Sequence, residues 1–372
     1  MSPARTRVLT GIDLPLEPSC GSTIWCADVY GRLTPRQRTT FLALPAPENA
    51  PAWAPFEDIR LLDAVKRPYG PGFDAYVRDL TAEVSRLLDR EPFDVIHAQH
   101  LGFGLALAFA RAARGMPLLS IAHGTDVIAA TENVQARAAL NEIAAASRLI
   151  AVPTPAMAER VNALTANRHR ERVTVLPWGI PLPPTPTHVP SAERGLRLLH
   201  AGRLDANKST VTAIDALALT TTQHTLTVVG SGPELPALTA RAHELGLDGR
   251  VVFTPFEPRQ ALWSRFADHD ALLLTTRNLE AFGLVAVEAQ AHGLPVLHSG
   301  LPGLDGILHG GALPYPPGDA AGLAARIDEL ADDPALRQVL AAAAAANARR
   351  HDITTTCDHL NRATTALAGV LR

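Results

Sequence analysis

The first half of the chain alternates short apolar runs, bounded by turn residues, with stretches of helical character. The runs that predict strands are Arg7–Thr10, Phe93–His97, Pro117–Ile121, Leu149–Val152 and Val173–Leu176. Between them, Leu101–Arg114 and Asn141–Ser147 predict helices. Short strands that alternate with helices are typical of a parallel sheet covered on both faces. The pattern therefore predicts an α/β domain.

The pattern breaks after Gly179 and then starts again. Five prolines fall within twelve residues: Pro181, Pro183, Pro184, Pro186 and Pro190. No helix or central strand accommodates that density, so a semi-rigid linker is expected. New apolar runs follow at Arg197–Ala201, Leu226–Val229, Val251–Phe253, Ala271–Leu274 and Pro295–Leu297. We predict a first domain over 1–179, a linker over 180–194 and a second domain over 195–353, with a ligand cleft between the two domains.

Composition excludes several classes of protein. The 372 residues are 47% hydrophobic and 19% charged, so a sizeable core is available and wholesale disorder is excluded. The net charge of −3 is spread without a basic stripe, so no nucleic-acid partner and at most peripheral membrane contact are expected. The most apolar run, Leu101–Ala113, contains Arg111 and is too short to span a bilayer.

Cysteine usage and the N-terminal segment predict a cytoplasmic protein. Cys20, Cys26 and Cys357 are odd in number and lack metal-ligand spacing, which fits a reducing compartment. Asp13 and Glu17 interrupt the apolar stretch that a signal peptide would need.

A glycine turn with two cations follows the strand Arg197–Ala201. Gly202 lets the backbone approach a ligand closely. Arg203 offers a planar fork of donors and Lys208 a compact charge, a pairing that suits a diphosphate. Lys208 is one of only two lysines beside 32 arginines, a bias typical of GC-rich coding. The alternative is an ordinary strand-to-helix turn with surface charges.

Two glutamates separated by seven residues flank a predicted helix start near Gly283. The free N–H groups of such a start favour anions, and Glu280 would lie just before it. Glu288 lies two turns further along in an otherwise apolar stretch, where an acid is rare without a partner or a function. A carboxylate there suits a ribose diol. The alternative is a first-turn acid favoured by the helix dipole and an ordinary helical glutamate.

Four weaker motifs are also present, and for three of them we favour a structural alternative. Gly230–Gly232 begins a dinucleotide fingerprint, but Leu235 replaces the third glycine, which favours a tight turn. His123 ends a strand, where a satisfied core histidine is the common explanation. Asp268–Asp270 matches an Asp-x-Asp metal motif, yet it leads directly into a strand and is interpreted as a helix-to-strand turn. His97–His100 is too sparse for a metal site.

Taken together and in this order, these segments resemble family 4 of the retaining glycosyltransferases, which have the GT-B fold. The resemblance is carried by the Gly-Arg-Leu-Asp…Lys turn, the Glu-x7-Glu element with its Phe-Gly, and the strand entry from Ala291 to Val296. His123–Asp126 and the exit Leu176–Ile180 are also similar to that family. The resemblance implies two Rossmann-like parallel-sheet domains facing a cleft, with a C-terminal helix over 354–372 crossing back to the first domain.

The resemblance also implies roles for individual residues. Implied catalytic residues are Glu280, His123, Arg203 and Lys208. Implied donor-binding residues are Gly21, Ser22, Gly202, Arg203, Lys208, Gly230, Phe256, Phe282, Gly283, Leu284 and Glu288. Implied acceptor-binding residues are His97, His100 and Asp126. The chain departs from the family at Ser22, where many relatives have a second glycine, and over 300–311.

The implied function is transfer of a sugar, with retention, from a nucleotide diphosphate sugar of the UDP-N-acetylglucosamine or UDP-glucose type. Neither metal nor cofactor is expected, because the nucleotide sugar is a co-substrate. The acceptor is expected to be a specialised metabolite, or a precursor of a cell-surface glycan or lipid. The alternatives are a nucleotide-sugar epimerase of the same fold, a non-catalytic sugar-binding protein, and a dinucleotide oxidoreductase, which would need a complete glycine fingerprint.

Overall fold

The computed structural model describes residues 5–46, 53–184, 188 and 195–369. The chain divides into two compact units, one formed by Met1–Gly179 with Ile353–Arg372 and the other by Ile180–Asp352. Residues 185–187 and 189–194 of the predicted linker lie outside the described residues. None of the helices in the described ranges combines the length and the apolar character needed to cross a membrane.

The first unit is built on a seven-stranded parallel sheet in the order β3-β2-β1-β4-β5-β6-β7. Its strands are β1 (Thr6–Pro15), β2 (Gln37–Leu44), β3 (Asp58–Leu61), β4 (Val95–Gln99), β5 (Leu118–Ile121), β6 (Leu149–Val152) and β7 (Val173–Val175). Its helices are α1 (Gly21–Leu33), α2 (Phe73–Arg90), α3 (Gly104–Ala112), α4 (Thr125–Glu132), α5 (Val134–Ala146), α6 (Pro155–Leu164) and the terminal helix α14 (Ile353–Gly369).

The second unit is built on a six-stranded parallel sheet in the order β10-β9-β8-β11-β12-β13. Its strands are β8 (Arg197–Ala201), β9 (Thr225–Val229), β10 (Val251–Thr254), β11 (Ala271–Leu274), β12 (Val296–Ser299) and β13 (Ala312–Tyr315). Its helices are α7 (Thr210–Leu219), α8 (Leu235–Glu244), α9 (Arg259–Phe266), α10 (Leu284–Ala291), α11 (Leu304–Ile307), α12 (Ala320–Asp332) and α13 (Pro334–Ala348).

Local sequence explains why several helices begin where they do. Asp333 accepts a hydrogen bond from the N–H of Leu336, and Pro334 occupies the first helical position, so the alanine-rich α13 starts with a side-chain cap and a residue already fixed in helical φ. Thr154 with Pro155 starts α6 in the same way. The central strands are fully buried because helices cover both faces, and the apolar side chains of β8, β9 and β11 form the core of the second unit.

The predicted fold class is confirmed: both sheets are parallel, both have Rossmann-like strand order, and α14 packs against α1, β1 and β4 of the first unit. The apolar pattern did not predict β2, β3, α1 or α2. For α2 a signal was present, because Phe73, Tyr76, Val77, Leu80 and Val84 form one buried stripe at helical spacing.

The glycines after β9 allow two backbone turns to touch. Gly230 has φ +154°, and a Cβ there would lie 1.9 Å from the carbonyl oxygen of Gly202. A Cβ at Gly232 would lie 2.2 Å from the carbonyl oxygen of Leu204. These glycines are therefore required by the contact between the turns that follow β8 and β9, which agrees with the tight-turn interpretation.

Gly230→Ala is expected to lower the free energy of unfolding of the second unit by about 2–4 kcal/mol, because both the overlap and the backbone strain oppose it. Gly202→Ala is the matched control: its Cβ would have no neighbour within 4 Å, so a change below about 1 kcal/mol is expected. Urea titration followed by circular dichroism measures both. Equal stability of the two variants would contradict the close-contact explanation.

Candidate functional site

Each sheet has one place where the strand order reverses, and the candidate residues gather there. In the second unit β8 pairs with β11, while the strand that follows β8 in the chain, β9, lies on its other side. The loops that leave β8 and β11 therefore diverge and leave a crevice at the carboxyl ends of the strands, which is where open α/β sheets bind ligands. In the first unit the corresponding neighbours are β1 and β4.

Asn207 links the two loops that border the crevice of the second unit, one after β8 and one after β11. Its carbonyl oxygen accepts a hydrogen bond from the N–H of Arg277 (2.7 Å), and its side-chain oxygen accepts one from the N–H of Asn278 (3.2 Å). Thr275 Oγ1 donates to the carbonyl oxygen of Lys208 (2.7 Å). Sequence reasoning missed Asn207, although its place one residue before Lys208 in the glycine turn was visible.

This bridging brings Lys208 and Glu280 together. Lys208 Nζ lies 2.6 Å from Glu280 Oε2, and Thr276 Oγ1 donates to the same oxygen at 3.0 Å. The side chains are 25% and 13% exposed, so the pair is largely shielded from water. Two of the three residues predicted to be catalytic in this unit thus form one charged group built from two loops.

Glu280 is held in its ionised form. Burial raises the pKa of its carboxyl group, but the charge of Lys208 and hydrogen bonds from Lys208, Thr276 and the Gly283 N–H outweigh burial, so the pKa lies below its ordinary value. A stable negative charge therefore stands beside the start of α10 at neutral pH.

The helix α10 begins at Leu284, as the sequence predicts. Gly283 precedes it with φ +74°, a left-handed conformation that favours glycine, and among the described residues no side chain caps the first turn. The dipole and N–H groups of this start favour an anion. Phe282 is buried against His351, with ring centroids 5.4 Å apart, so it can offer a ligand only its backbone.

Arg203, Gly202 and Phe256, predicted donor-binding residues of the second unit, lie on turns that follow its strands. Arg203 is 64% exposed, and its guanidinium lies 3.1 Å from the carboxylate of Asp205. Gly202 has open space where a side chain would be. Phe256 is exposed, and its N–H donates to Ser231 Oγ (3.4 Å), which places it beside the turn that contains Gly230.

Glu288 already has protein partners. It is buried on α10, where its carboxylate lies 2.9 Å from Arg259 Nε and accepts a hydrogen bond from Trp263 Nε1 (3.2 Å), both on α9. The predicted ribose contact would therefore be made by a carboxylate that α9 orients.

His123 lies just after the carboxyl end of β5 and is surrounded by aromatic rings. It packs edge-on against Trp25 and Trp178, with centroids 5.4 and 5.1 Å away, and stacks on His100 at 4.3 Å. Its Nε2 is bonded to Gln99 Oε1 (2.8 Å), and burial lowers its pKa to about 3, so the ring is neutral at physiological pH. Gly21 and Ser22 form the first residues of α1.

The structure places His97 and Asp126, two of the predicted acceptor-binding residues, in buried hydrogen bonds within the first unit. His97 is fully buried in β4, with Nδ1 bonded to Tyr30 (2.8 Å) and Nε2 to Thr364 (3.1 Å). Asp126 is fully buried, and its carboxylate accepts hydrogen bonds from the N–H groups of Leu101, His123 and Gly124. The acceptor contacts of both residues stay predictions.

His100, the third predicted acceptor-binding residue, is buried and stacks on another ring. It is 1% exposed, has φ +69° and stacks on Phe103 at 3.9 Å. Within the described residues neither of its ring nitrogens has a hydrogen-bond partner. Buried polar atoms without partners are uncommon and call for an explanation such as a bound ligand.

Sequence reasoning also missed Asp13 and Lys66 at this end of the first sheet. Asp13 is buried, and its Oδ2 accepts hydrogen bonds from Tyr76 (3.1 Å) and the Gly104 N–H (3.1 Å). Lys66 Nζ lies 3.8 Å from Asp13 Oδ1 and 3.9 Å from the centroid of Phe103. Burial raises the pKa of Asp13 despite the nearby lysine. That Lys66 is one of two lysines was the available signal.

The Asp268–Asp270 motif forms the turn between α9 and β11. Asp270 is buried, and its carboxylate accepts hydrogen bonds from the backbone and side chain of Arg197, at 2.8 Å and 3.2 Å. His269 Nδ1 bonds to the carbonyl oxygen of Arg265 and its Nε2 to Thr227. These partners account for the motif as a structural turn.

Each of the two units matches the model of a known protein family. Residues 33–182 match the model described as Glycosyltransferase Family 4, and residues 188–347 match that of the Glycosyl transferases group 1. With D-inositol 3-phosphate glycosyltransferase 1 of Catenulispora acidiphila the chain shares 32% identity over 287 residues, which cover 68% of this chain and 67% of the relative. With the D-inositol 3-phosphate glycosyltransferase of Jonesia denitrificans it shares 37% over 158 residues, and there the chain spans only 37% of the relative's length.

Solved structures share the fold. The sucrose-phosphate synthase of Thermosynechococcus elongatus superimposes with a TM-score of 0.85 at 18% identity, covering 98% of this chain and all of that one. The Anabaena protein Alr3699/HepE in complex with UDP and glucose gives a TM-score of 0.79 at 22% identity, covering 97% and 100%.

The Lys208–Glu280 pair is expected to show strong coupling in a double-mutant cycle. Lys208→Met leaves a mostly buried carboxylate without its cation and should lower the free energy of unfolding by about 1–3 kcal/mol, a partly buried pair being worth less than a fully buried one. Adding Glu280→Gln removes the stranded charge, so the double variant should recover most of that loss. Urea unfolding of the four proteins measures the coupling. Additive effects would contradict the interdependence of the two charges.

Proposed function

The chain belongs to family 4, or group 1, of the glycosyltransferases, and from this premise we propose that it transfers a sugar from a nucleotide diphosphate sugar to an acceptor hydroxyl. The observation that carries the proposal is the Lys208–Glu280 pair beside the start of α10. One crevice offers cations and helix N–H groups for a diphosphate and a carboxylate for the sugar next to it.

In this proposal Arg203 and Lys208 bind the donor diphosphate. Breaking the glycosidic bond builds negative charge on the leaving phosphate, so these cations stabilise the transition state more than the bound donor. Arg203 can turn toward a phosphate because its side chain is exposed and its ion pair with Asp205 is worth little at the surface. The enzyme is thus proposed to work without a divalent metal ion.

Glu280 is proposed to face the transferred sugar. Its lowered pKa keeps it charged, and an ionised carboxylate can accept hydrogen bonds from sugar hydroxyls and meet positive charge that develops on the ring. Glu288, oriented by Arg259 and Trp263, is proposed to hold the ribose. Retention of the anomeric configuration is proposed on the family likeness.

The donor is proposed to be of the UDP-glucose or UDP-N-acetylglucosamine type, supported by the UDP and glucose in the structural relative from Anabaena. On the first unit, His100 and the Asp13–Lys66 pair are proposed to receive the acceptor. D-inositol 3-phosphate, named in the relatives, heads the acceptors to be tested, with specialised metabolites and glycan or lipid precursors after it. We propose that the enzyme acts in the cytoplasm.

The proposal is tested by incubating the protein with UDP-glucose, UDP-N-acetylglucosamine and GDP-mannose, with and without a panel of acceptor alcohols. We expect one donor to be consumed in an acceptor-dependent reaction whose product keeps the donor's anomeric configuration, determined from proton coupling constants. Isomerisation of the donor without acceptor would favour the epimerase alternative. An inverted product would contradict the retaining mechanism.

Lys208→Ala is expected to lower kcat by about 10²–10³-fold at saturating donor, because one preorganised contact to the developing charge is worth roughly 2.7–4 kcal/mol. Lys208→Arg should restore only part of the rate, since the guanidinium fork is wider than an ammonium group. The wild-type activity should survive exhaustive chelation. Loss of activity with chelator and recovery with magnesium would instead restore the metal interpretation of Asp268–Asp270.

A further inference from the structure

A chain of buried hydrogen bonds crosses the first unit from the terminal helix α14 to His123. It runs from Thr364 through His97, Tyr30 and Gln99, and each of its members is at least nine-tenths buried. The distances are 3.1 Å (Thr364 Oγ1 to His97 Nε2), 2.8 Å (His97 Nδ1 to Tyr30 Oη), 2.8 Å (Tyr30 Oη to Gln99 Nε2) and 2.8 Å (Gln99 Oε1 to His123 Nε2).

The direction of this chain is fixed at its far end by a backbone carbonyl. Thr364 Oγ1 lies 2.7 Å from the carbonyl oxygen of Leu360, which can only accept, so the threonine hydroxyl donates there. Toward His97, Thr364 must then accept, which puts the proton of His97 on Nε2. Burial lowers the pKa of His97 to about 3, so the ring is neutral and its Nδ1 accepts from the Tyr30 hydroxyl.

The side-chain amide of Gln99 is oriented by two independent acceptors. Tyr30 has given its proton to His97 and can only accept from Gln99. Thr10 Oγ1 donates to the carbonyl oxygen of His97 (2.8 Å), so it too accepts from Gln99 Nε2 (3.0 Å). Both contacts require the NH2 group on that side of the amide. If the amide were flipped, Thr10 would have to donate to Gln99 and not to the carbonyl oxygen of His97. Tyr30 would also have to donate to Gln99, so His97 would turn its proton toward Tyr30 and Thr364 would lose its bond to the carbonyl oxygen of Leu360.

We propose that Gln99 is a positioning residue that fixes His123 as the tautomer with its proton on Nε2, so that His123 Nδ1 offers a lone pair and selects a ligand hydroxyl. The carbonyl oxygen of Gln99 faces His123 Nε2 and can only accept, so that nitrogen carries the proton. Nδ1 is buried and has no hydrogen-bond partner among the described residues. A hydroxyl can donate to it, whereas a phosphate or carboxylate oxygen would face lone pair against lone pair.

This selectivity rests on the proposed function, in which the ligand is a sugar rich in hydroxyl groups. The tautomer itself does not depend on it. A hydroxyl is recognised by an acceptor, whereas a phosphate is recognised by cations and N–H groups, so this tautomer of His123 favours a hydroxyl of a sugar ligand over a phosphate.

The tautomer is tested on the whole wild-type protein with ¹⁵N-labelled histidine, by long-range proton–nitrogen correlation spectra of the ring nitrogens. The signals of His123 are assigned by their loss in His123→Gln. We expect a protonated Nε2 and an unprotonated Nδ1. A protonated Nδ1 on His123 would overturn the proposal whatever the enzyme turns over.

The role of Gln99 is tested with Gln99→Met, which keeps the length of the side chain and removes the oxygen. His123 should then lose its single tautomer and give exchange-averaged ring shifts. Gln290→Met, at another fully buried glutamine, is the control and should leave the His123 signals unchanged. A His123 spectrum in folded Gln99→Met that equals the wild type would overturn the assignment.

The selectivity is tested with deoxy analogues of the donor sugar and of the acceptor, each of which lacks one hydroxyl. In the wild type one of these analogues should lose about tenfold in kcat/KM, the value of one hydrogen bond. In Gln99→Met the same analogue should lose less than about threefold. Equal losses in both proteins would overturn the selectivity while leaving the proposed function intact, whereas turnover of no nucleotide sugar would contradict the proposed function and leave the tautomer result standing.

Discussion

The reversal of strand order in each parallel sheet is the constraint on which both candidate sites depend. The strands β8 and β11 are neighbours in the sheet, but the elements that follow them leave in opposite directions. Two loops that are far apart in sequence therefore lie side by side. The loop after β8 carries Lys208, and the loop after β11 carries Glu280. Without that pairing Lys208 and Glu280, 72 residues apart, would be two ordinary surface charges.

Lys208 and Glu280, in the crevice of the second unit, stabilise each other's charge, and hydrogen bonds from nearby groups stabilise the carboxylate further. A carboxylate that is 13% exposed is costly unless a cation and hydrogen-bond donors surround it, and here Lys208, Thr276 and the Gly283 N–H supply both. Asn207 holds the loop that carries the lysine against the loop that carries the acid. The site is thus organised before any ligand arrives, which limits the reorganisation that binding requires.

The sequence predicts those parts of the protein whose signals are local. The central strands are continuous apolar runs, the start of α10 follows a glycine, and the cation pair follows a strand, so all three can be found by reading neighbours. The edge strand β3 has the polar sequence Asp-Ile-Arg-Leu and offers no such run. The partners of His97 lie 67 and 267 residues away, so no local pattern distinguishes a core histidine from an acceptor-binding one. The same holds for the pairing of Glu288 with Arg259.

The packing of α14 on the first sheet has a consequence for how the protein is made. The first unit consists of two pieces of chain with the whole of Ile180–Asp352 between them. On a ribosome the sheet β1–β7 emerges roughly 10–30 s before the helix that supplies Thr364 to His97, while the second unit is already complete and can fold by itself. During that interval the surface of β1, β4 and α1 that α14 covers is exposed to water, and His97 lacks its partner Thr364, so the first unit is the part of this protein that completes its folding last.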